Sequence, residues 1–291
     1  MNDNFNKVFI GSGLIAEIFL HALICHKGED PETFFVIGED VERCHELMNK
    51  YNITAVTNPN VFISLAKVVV LAVDPDHFND IEEVIKPIRD TIPPDALINS
   101  VTHDLKIADI ERYFPNHPVM RLCINLPIIS GVGIGAFCYG SLNPADTSAF
   151  ARYLINSFGK VIEVKSEEEF ERISDTIFAE SCGAYLALNC FIQSGVKVGL
   201  TPEQSKRIAI EVFKGIAIAF DEKAKDDLIK RSLDYDDVFT IALNYLRGFD
   251  IIDDLNKTFN MKPEELKVNL EKIGLISNVE EEKYEFHYKN W

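Results

Sequence analysis

The stretch "KVFIGSGLIAEIF", residues 7–19, decides the fold of the amino-terminal half of the chain. Its first four residues suit a short buried strand, and an amphipathic helix is predicted after the turn Gly11-Ser12-Gly13. The segment from Gly11 to Ala16 matches G-x-G-x-x-A, in which the two glycines permit the turn and the approach of a pyrophosphate, and the small third residue permits close packing. The stretch predicts either a dinucleotide-binding turn or a plain strand-to-helix corner. The cofactor-binding residues predicted here are Gly11, Ser12, Gly13, Leu14 and Ile15.

Apolar runs rich in β-branched residues alternate with helical stretches as far as residue 164. Strands are predicted at 7–10, 33–37, 67–73, 96–99, 118–122 and 160–164, and helices near 14–26, 41–51, 76–90 and 105–113. An extended edge element is predicted at 131–140, followed by a helix that begins at Pro144. This rhythm is typical of an α/β fold, here a Rossmann-type, mostly parallel sheet with helices on both faces.

The pattern changes at Ser166, where "SEEEF" forms a capping box with Glu169. From there strand signals vanish, and helices are predicted at 167–198, 202–221, 226–248 and 262–275. The sequence therefore predicts two domains, a dinucleotide-binding Rossmann domain over residues 1–164 and an all-helical domain over residues 165–291.

Composition narrows the range of partners. The 291 residues carry a net charge of −17, which repels nucleic acid and anionic lipid, so neither nucleic acid nor a membrane is expected as a partner. The six cysteines show neither a CxxC pair nor a metal-ligand spacing, which favours reduced thiols in a cytoplasmic protein without a metal site. No signal peptide or membrane span is predicted.

The end of the second predicted strand bears on which dinucleotide binds. Glu39 and Asp40 follow this strand, where the adenosine ribose of a bound dinucleotide lies. A carboxylate there accepts hydrogen bonds from ribose hydroxyls and repels a 2′-phosphate, which predicts a preference for NAD(H) over NADP(H). The alternative is that the two residues only cap the helix at 41–51.

The segments "GSGLIAE", "VVVLAVDPDHF", "LINSV", "MRLCINLP", "FGKVIEV", "ESCGAY" and "VKVGLTPEQ" occur in an order that resembles the pyrroline-5-carboxylate reductase family over residues 7–249. That family reduces a cyclic imino acid to proline with a nicotinamide cofactor, and it joins a Rossmann domain to a helical dimerisation domain. The resemblance implies an NAD(P)H-dependent oxidoreductase of CH–NH or C=N groups, acting in proline biosynthesis. It also implies a homodimer or higher homo-oligomer that assembles through the helical domain.

The resemblance also assigns the cofactor site. Beyond the glycine turn, the residues matched to the part of the family's site that holds the cofactor are Ala72, Val73, Pro75 and Ser100. Arg121, Asn125 and Pro127 match the family's motif R-x-M-P-N-T-P. Asn125 offers an amide donor and an acceptor, which suit either orienting nicotinamide or polarising a substrate, or else stabilising the turn before Pro127.

On the substrate side, "AESCGAY" at 179–185 lies where the family has the helix start that faces its substrate. Ser181 and Tyr185 match the family, and Glu180 departs from it. A carboxylate near an imine can act as an acid or a charge partner, or it can lie exposed on the helix. The predicted catalytic residues are Asn125, Glu180, Ser181 and Tyr185, and the predicted substrate-binding residues are Ser181 and Ser232.

The largest departure from the family is "KRSLDYDDVFT" at 230–240, where the family has "SPGGTT" as a cradle for the substrate carboxylate. Only Ser232 matches, while Asp234, Asp236 and Asp237 introduce negative charge that repels a carboxylate. The substrate is therefore expected to differ from pyrroline-5-carboxylate. The acidic segment either recognises a cation or caps a helix.

Three functions remain open. The first is reduction of an imine by NADH. The second is a dehydrogenase of a small hydroxy acid or carbonyl compound, for which His77 or His103 would be the acid/base. The third is a nucleotide-binding accessory protein without catalysis, which the loss of the carboxylate cradle favours.

Overall fold

The computed structural model describes residues 5–58, 62–73, 86, 89–103, 105–142, 153, 159–221, 240, 244, 246–248, 251–262, 265 and 268. The helices predicted near 76–90, from Pro144, and over 226–248 and 262–275 lie wholly or mostly outside these residues.

Eight strands form one sheet. They are β1 Lys7–Ile10, β2 Phe34–Ile37, β3 Thr54–Val56, β4 Val68–Leu71, β5 Leu97–Ser100, β6 Val119–Ile124, β7 Gly133–Tyr139 and β8 Gly159–Glu163. Their order across the sheet is β3-β2-β1-β4-β5-β6-β7-β8. The strands from β3 to β6 are mutually parallel, β7 is antiparallel to β6, and β8 is parallel to β7. The sheet is therefore mostly parallel, as the sequence predicted.

The helices that the structure describes lie between and after these strands. They are α1 Leu14–Leu20, α2 Val41–Tyr51, α3 Ile107–Tyr113, α4 Glu167–Lys197, α5 Pro202–Asp221 and α6 Ile251–Phe259. A π-helical turn, His21–His26, follows α1 directly, so the single helix predicted at 14–26 is an α-helix that ends in a π-turn. Short 3-10 turns occur at Pro31–Thr33, Ile63–Leu65, Arg89–Thr91 and Leu126–Ser130.

Helices cover both faces of the sheet, which explains why every residue of β1 is buried. Phe9 points into a core that includes Ala16 and Phe19 of α1. Val8 and Ile10 point into a second core, to which Ile110 of α3 belongs. The alternation of side chains along a strand thus divides one short apolar run between two cores.

One sequence prediction about strands is wrong, and one strand was not predicted. The element predicted at the edge over 131–140 is β7, and it lies inside the sheet, with Leu122 of β6 opposite Phe137 and β8 on its other side. The edge strand on that side is β8. In addition, β3 was not predicted, because a run of three residues gives too short an alternation to recognise.

The chain divides into two compact units, residues 1–181 and 182–291. In the second unit the hydroxyl of Ser205 on α5 donates to the carbonyl of Ile192 on α4 over 2.6 Å, and Thr258 of α6 lies 3.3 Å from the Cys190 thiol. Within the described residues, none of the helices combines the length and apolar character needed to cross a lipid bilayer. The domain boundary at residues 164 and 165 stays a prediction.

Candidate functional site

The carboxyl ends of five parallel strands bring most of the predicted cofactor residues to one edge of the sheet. Across that edge, β2, β1, β4, β5 and β6 are successive neighbours. The chain reverses its direction across the sheet between β1 and β4, and open α/β sheets bind their ligands at such a switch point.

The glycine turn follows β1 at this switch point. Gly11 has a φ of +111°, and a β-carbon added to it would lie 2.7 Å from the carbonyl carbon of Ala72. Its N–H donates to the carbonyl of Ile37 over 2.8 Å, so Gly11 joins the ends of β1, β2 and β4. Only glycine fits this position without strain, because an L side chain opposes both the backbone angle and the packing.

The second glycine of the turn has a different role. Gly13 is the residue before α1, with φ −71°, and a β-carbon added to it would meet nothing within 4 Å. No side chain caps α1, and a helix leaves its first backbone N–H groups without partners inside the helix. Leu14 and Ile15 are exposed on the same turn, whereas Ala16 is fully buried against the sheet. This arrangement fits a pyrophosphate, which needs open space and backbone donors at one place.

The two predicted ribose ligands, Glu39 and Asp40, follow β2 and differ in their contacts. Asp40 accepts hydrogen bonds from the backbone N–H groups of Glu42 and Arg43, over 2.8 and 3.2 Å, and so caps α2. Glu39 is exposed and stands just before this cap. Asp40 therefore caps α2 through its Oδ1 atom, and Glu39 is a second exposed carboxylate at this end of the sheet.

Arg43 was not predicted as a site residue, although its side chain contacts the glycine turn. Its Nε donates to the carbonyl of Ser12 over 3.1 Å. The guanidinium also pairs with Glu17 of α1 and, over 2.8 Å, with Glu46. The contact joins residues 31 positions apart, so no local sequence pattern could have revealed it.

At the ends of β4 and β5, two hydroxyl side chains join the strands. The buried Ser100 accepts a hydrogen bond from the N–H of Thr102 over 3.2 Å, and the hydroxyl of Thr102 lies 3.2 Å from the carbonyl of Val73. Ala72 is buried and Val73 is half-buried beside the glycine turn. Pro75, which was also predicted to contact the cofactor, lies outside the described residues. Thr102 was missed because nothing in its local sequence distinguishes it.

Asn125 follows β6 and joins three elements. Its side-chain oxygen accepts from the N–H of Ile134 over 2.9 Å, and its side-chain nitrogen donates to the hydroxyl of Ser181 over 3.2 Å. The Ser181 hydroxyl donates in turn to the carbonyl of Ile177 over 2.6 Å. Two predicted catalytic residues are thus in direct contact, and the amide of Asn125 keeps one hydrogen for a further acceptor.

Arg121, on β6, anchors the start of α4. The side chain is buried and pairs with Glu167 over 2.6 Å, while its guanidinium lies 4.7 Å from the centre of the Phe170 ring. A second nitrogen donates to the carbonyl of His103. The motif residue Arg121 therefore fixes the helix that carries Ser181.

The remaining predicted residues are exposed or lie outside the described part. Glu180 is exposed on α4. Tyr185 is also exposed on α4, and partial burial together with the Cys182 thiol raises its hydroxyl pKa, so the hydroxyl stays protonated. Ser232, His77 and nearly all of the segment 230–240 lie outside the described residues.

His103 and the cysteines give no further site. The imidazole of His103 lies 3.0 Å from the carboxylate of Asp175 at an exposed position. The six cysteines are free, and Cys25 and Cys182 are exposed. Among the residues that the structure describes, no three His, Cys, Asp or Glu side chains are placed to hold a metal ion.

Known proteins resemble this chain over most of its length. The family described as "NADP oxidoreductase coenzyme F420-dependent" matches residues 7–102. A pyrroline-5-carboxylate reductase of Corynebacterium melassecola is 28% identical over 220 residues, which cover 75% of this chain and 80% of that protein. One from Synechocystis is 26% identical over 215 residues, covering 72% of this chain and 76% of its own.

Solved structures show the same fold. A pyrroline-5-carboxylate reductase from Coxiella burnetii superposes with a TM-score of 0.71 at 20% identity, covering 93% of this chain and 98% of its own. A pyrroline carboxylate reductase of Plasmodium falciparum with NADP bound gives 0.71 at 18% identity, with 93% and 97% covered. The resemblance to the pyrroline-5-carboxylate reductase family is confirmed, and so is the fold class.

Proposed function

We propose that this protein is a nicotinamide-nucleotide-dependent reductase of a C=N bond in a small imine. The observation that carries the proposal is the glycine turn, where Gly11 is required by packing while Gly13 leaves open space beside the start of α1, which no side chain caps. The relatives named as pyrroline-5-carboxylate reductases support the same reaction type.

The residues present fit a dinucleotide along the edge of the sheet. Gly13, Leu14 and Ile15 would hold the pyrophosphate, Glu39 the adenosine ribose, and Ala72, Val73 and Ser100 would stand beside the nicotinamide half. When bound, the nicotinamide would supply the hydride that reduces the imine carbon. We expect NADH to be preferred, because Glu39 is exposed just after β2, where the adenosine ribose would lie, and its carboxylate would repel a 2′-phosphate.

The contacting side chains of Asn125 and Ser181 have complementary hydrogen-bonding roles. The Ser181 hydroxyl gives its hydrogen to Ile177, so towards a substrate it is an acceptor, suited to the N–H of a protonated imine. The second amide hydrogen of Asn125 can hold a carbonyl oxygen of the nicotinamide or of the substrate. Tyr185, protonated at neutral pH, is the donor that we assign to the substrate, and Glu180 is the negative charge that we assign to a cationic one.

The substrate is proposed to lack the carboxylate of pyrroline-5-carboxylate. Support comes from the sequence of residues 230–240, where three aspartates stand in place of the family's glycine and threonine cradle. Ser232 is the single residue kept from that cradle, and it remains the proposed substrate contact in this segment.

Assembly through the helical domain is part of the proposal. On α5, Ile208, Val212 and Ile216 recur every fourth residue and are 53%, 50% and 53% exposed, so they form an apolar stripe on one face. A second copy of the chain would cover this stripe. We place the protein in the cytoplasm, which its free cysteines favour.

The test is a turnover assay with purified protein. Oxidation of NADH and of NADPH is followed with pyrroline-5-carboxylate, with a cyclic imine that lacks the carboxylate, and with a small ketone and a 2-oxo acid. We expect NADH oxidation with the carboxylate-free imine, lowered more than tenfold by Asn125→Ala. If pyrroline-5-carboxylate reacts faster than the carboxylate-free imine, the proposed change of substrate is wrong. If the protein binds the nucleotide but none of the compounds oxidises it, the alternative of an accessory protein without catalysis is supported.

A further inference from the structure

The positively charged side chain of Arg43 lies beside the glycine turn, and its partners are groups of the protein itself. Arg43 belongs to the first turn of α2, and its Nε holds the carbonyl of Ser12 between the two glycines. Its guanidinium therefore joins the ends of β1 and β2, which is the region where an arginine accommodates the 2′-phosphate of NADP.

Two carboxylates pair with this guanidinium. Glu17 of α1 pairs with one terminal nitrogen, and Glu46, one turn further along α2, pairs with the other over 2.8 Å. The Nε of Arg43 donates to the carbonyl of Ser12. Each of the three guanidinium nitrogens therefore has a partner within the protein.

Glu17 also accepts hydrogen bonds from two other side chains. Its second oxygen accepts from Lys50 over 2.6 Å and from the hydroxyl of Tyr51 over 3.1 Å. Burial alone would raise the pKa of Glu17, but the hydrogen bonds and charges of Lys50 and Arg43 outweigh it and lower the pKa to about 2. The carboxylate that grips Arg43 is therefore ionised at every physiological pH.

The charge around Arg43 is negative in sum. Five carboxylates either pair with Arg43 or lie within four residues of it along the chain, against the two cations Arg43 and Lys50. These carboxylates belong to Glu17, Glu39, Asp40, Glu42 and Glu46. A phosphate dianion brought to this place meets net repulsion, although an arginine is present.

We propose that Glu17 and Glu46 determine cofactor specificity by clamping Arg43 onto the glycine turn, where it organises the turn and is withheld from a 2′-phosphate. The inference rests on the proposed binding of a nicotinamide nucleotide. It makes Arg43 a positioning residue and a latent NADP(H) ligand, which the removal of one carboxylate exposes.

The test compares two substitutions on the same helix. Glu46→Gln removes a carboxylate that pairs with Arg43 and is 67% exposed, so the fold tolerates the change. Glu42→Gln is the control, because it removes the same charge from the first turn of α2. The contact of Glu42 with Asp40 is made by the backbone N–H of Glu42, which the substitution keeps. Dissociation constants for NADH and NADPH are measured by fluorescence titration at low salt, and thermal melting confirms folding of each variant.

We expect Glu46→Gln to tighten NADPH binding about fivefold while NADH binding stays within about twofold, because the Arg43 guanidinium loses one of its negatively charged partners and its positive charge is less fully neutralised. Glu42→Gln is expected to change the ratio of the two constants less than about twofold. Equal effects of the two substitutions, or an unchanged ratio in Glu46→Gln, would overturn the proposal.

A third variant separates positioning from recognition. Arg43→Gln is expected to weaken NADH and NADPH binding in the same proportion, because the Ser12 carbonyl loses its donor in both complexes. Weakening of NADPH alone would show that Arg43 already binds the phosphate, and the proposal would be wrong. If the unaltered protein binds neither NADH nor NADPH, the proposed function itself is wrong. If the unaltered protein binds NADH but Glu46→Gln leaves the ratio of the two dissociation constants unchanged, only the role of the clamp is wrong.

Discussion

Replacement of Glu17 by glutamine tests the network that holds α1 and α2 together beside the glycine turn. Glu17 is 17% exposed and contacts Arg43, Lys50 and Tyr51. Glutamine keeps the size of the side chain and one acceptor oxygen but removes the charge, so both ion pairs are lost while the packing is largely kept. We expect Glu17→Gln to destabilise the folded protein.

The size of this effect follows from the pKa. A pKa of about 2, against an ordinary 4.5, would correspond to ~3 kcal/mol of stabilisation of the ionised form. Since Lys50 is 60% exposed, solvent screens that ion pair, and we expect ~1–2 kcal/mol for the free energy of unfolding.

The pH dependence has a definite sign. A carboxylate whose pKa is lowered on folding stabilises the protein fully above its unfolded pKa, and this stabilisation is lost as pH falls towards the folded pKa. The difference in unfolding free energy between the unaltered protein and Glu17→Gln should therefore shrink by roughly half between pH 6 and pH 3.5.

Urea denaturation followed by circular dichroism at several pH values measures this difference. Glu46→Gln is the matched control, since it also removes a carboxylate from Arg43 but at an exposed position, and it should cost less than about 0.5 kcal/mol. A Glu17→Gln protein as stable as the unaltered one at pH 7, or a difference that does not change with pH, would refute the reasoning.

Three further predictions address packing and assembly. Gly11→Ala should destabilise the protein by more than ~3 kcal/mol in urea denaturation, because the new methyl group collides with the backbone of Ala72 at a positive φ; a cost below ~1 kcal/mol would contradict the geometry. Arg121→Leu should cost ~3 kcal/mol because it breaks a buried ion pair, whereas the exposed Arg172→Leu should cost about 0.5 kcal/mol or less; similar losses would argue against the anchoring role. Ile216→Glu on α5 should lower the mass measured by light scattering to that of one chain, and an unchanged oligomer would exclude this stripe as the interface.

Much of the fold could be predicted from the sequence because its elements are locally encoded. The bounds predicted for α2 and α5 agree with Val41–Tyr51 and Pro202–Asp221, since Asp40 and Pro202 mark where these helices begin. The strand β1 was predicted equally well from its apolar run. The helix Ile251–Phe259 lies between the two helices predicted at 226–248 and 262–275 and was not itself predicted.

The site was predicted only where a motif specifies the backbone. The glycine turn lies where the sequence placed it, because its conformation depends on residues next to each other. The contacts of Arg43 with Ser12, of Thr102 with Val73, and of Asn125 with Ser181 all join distant parts of the chain. Such pairs depend on the order of the strands, which no single segment contains.

The most direct test of the account is a calorimetric titration of NADH into the unaltered protein, Gly13→Ala and Gly215→Ala. Neither added methyl group meets an atom within 4 Å, so both variants should fold. We expect NADH to bind the unaltered protein and Gly215→Ala alike, and to bind Gly13→Ala more than about tenfold more weakly, because the methyl group occupies the space for the pyrophosphate. Equal affinity in all three proteins, or no binding to any of them, would contradict a nucleotide site at the glycine turn.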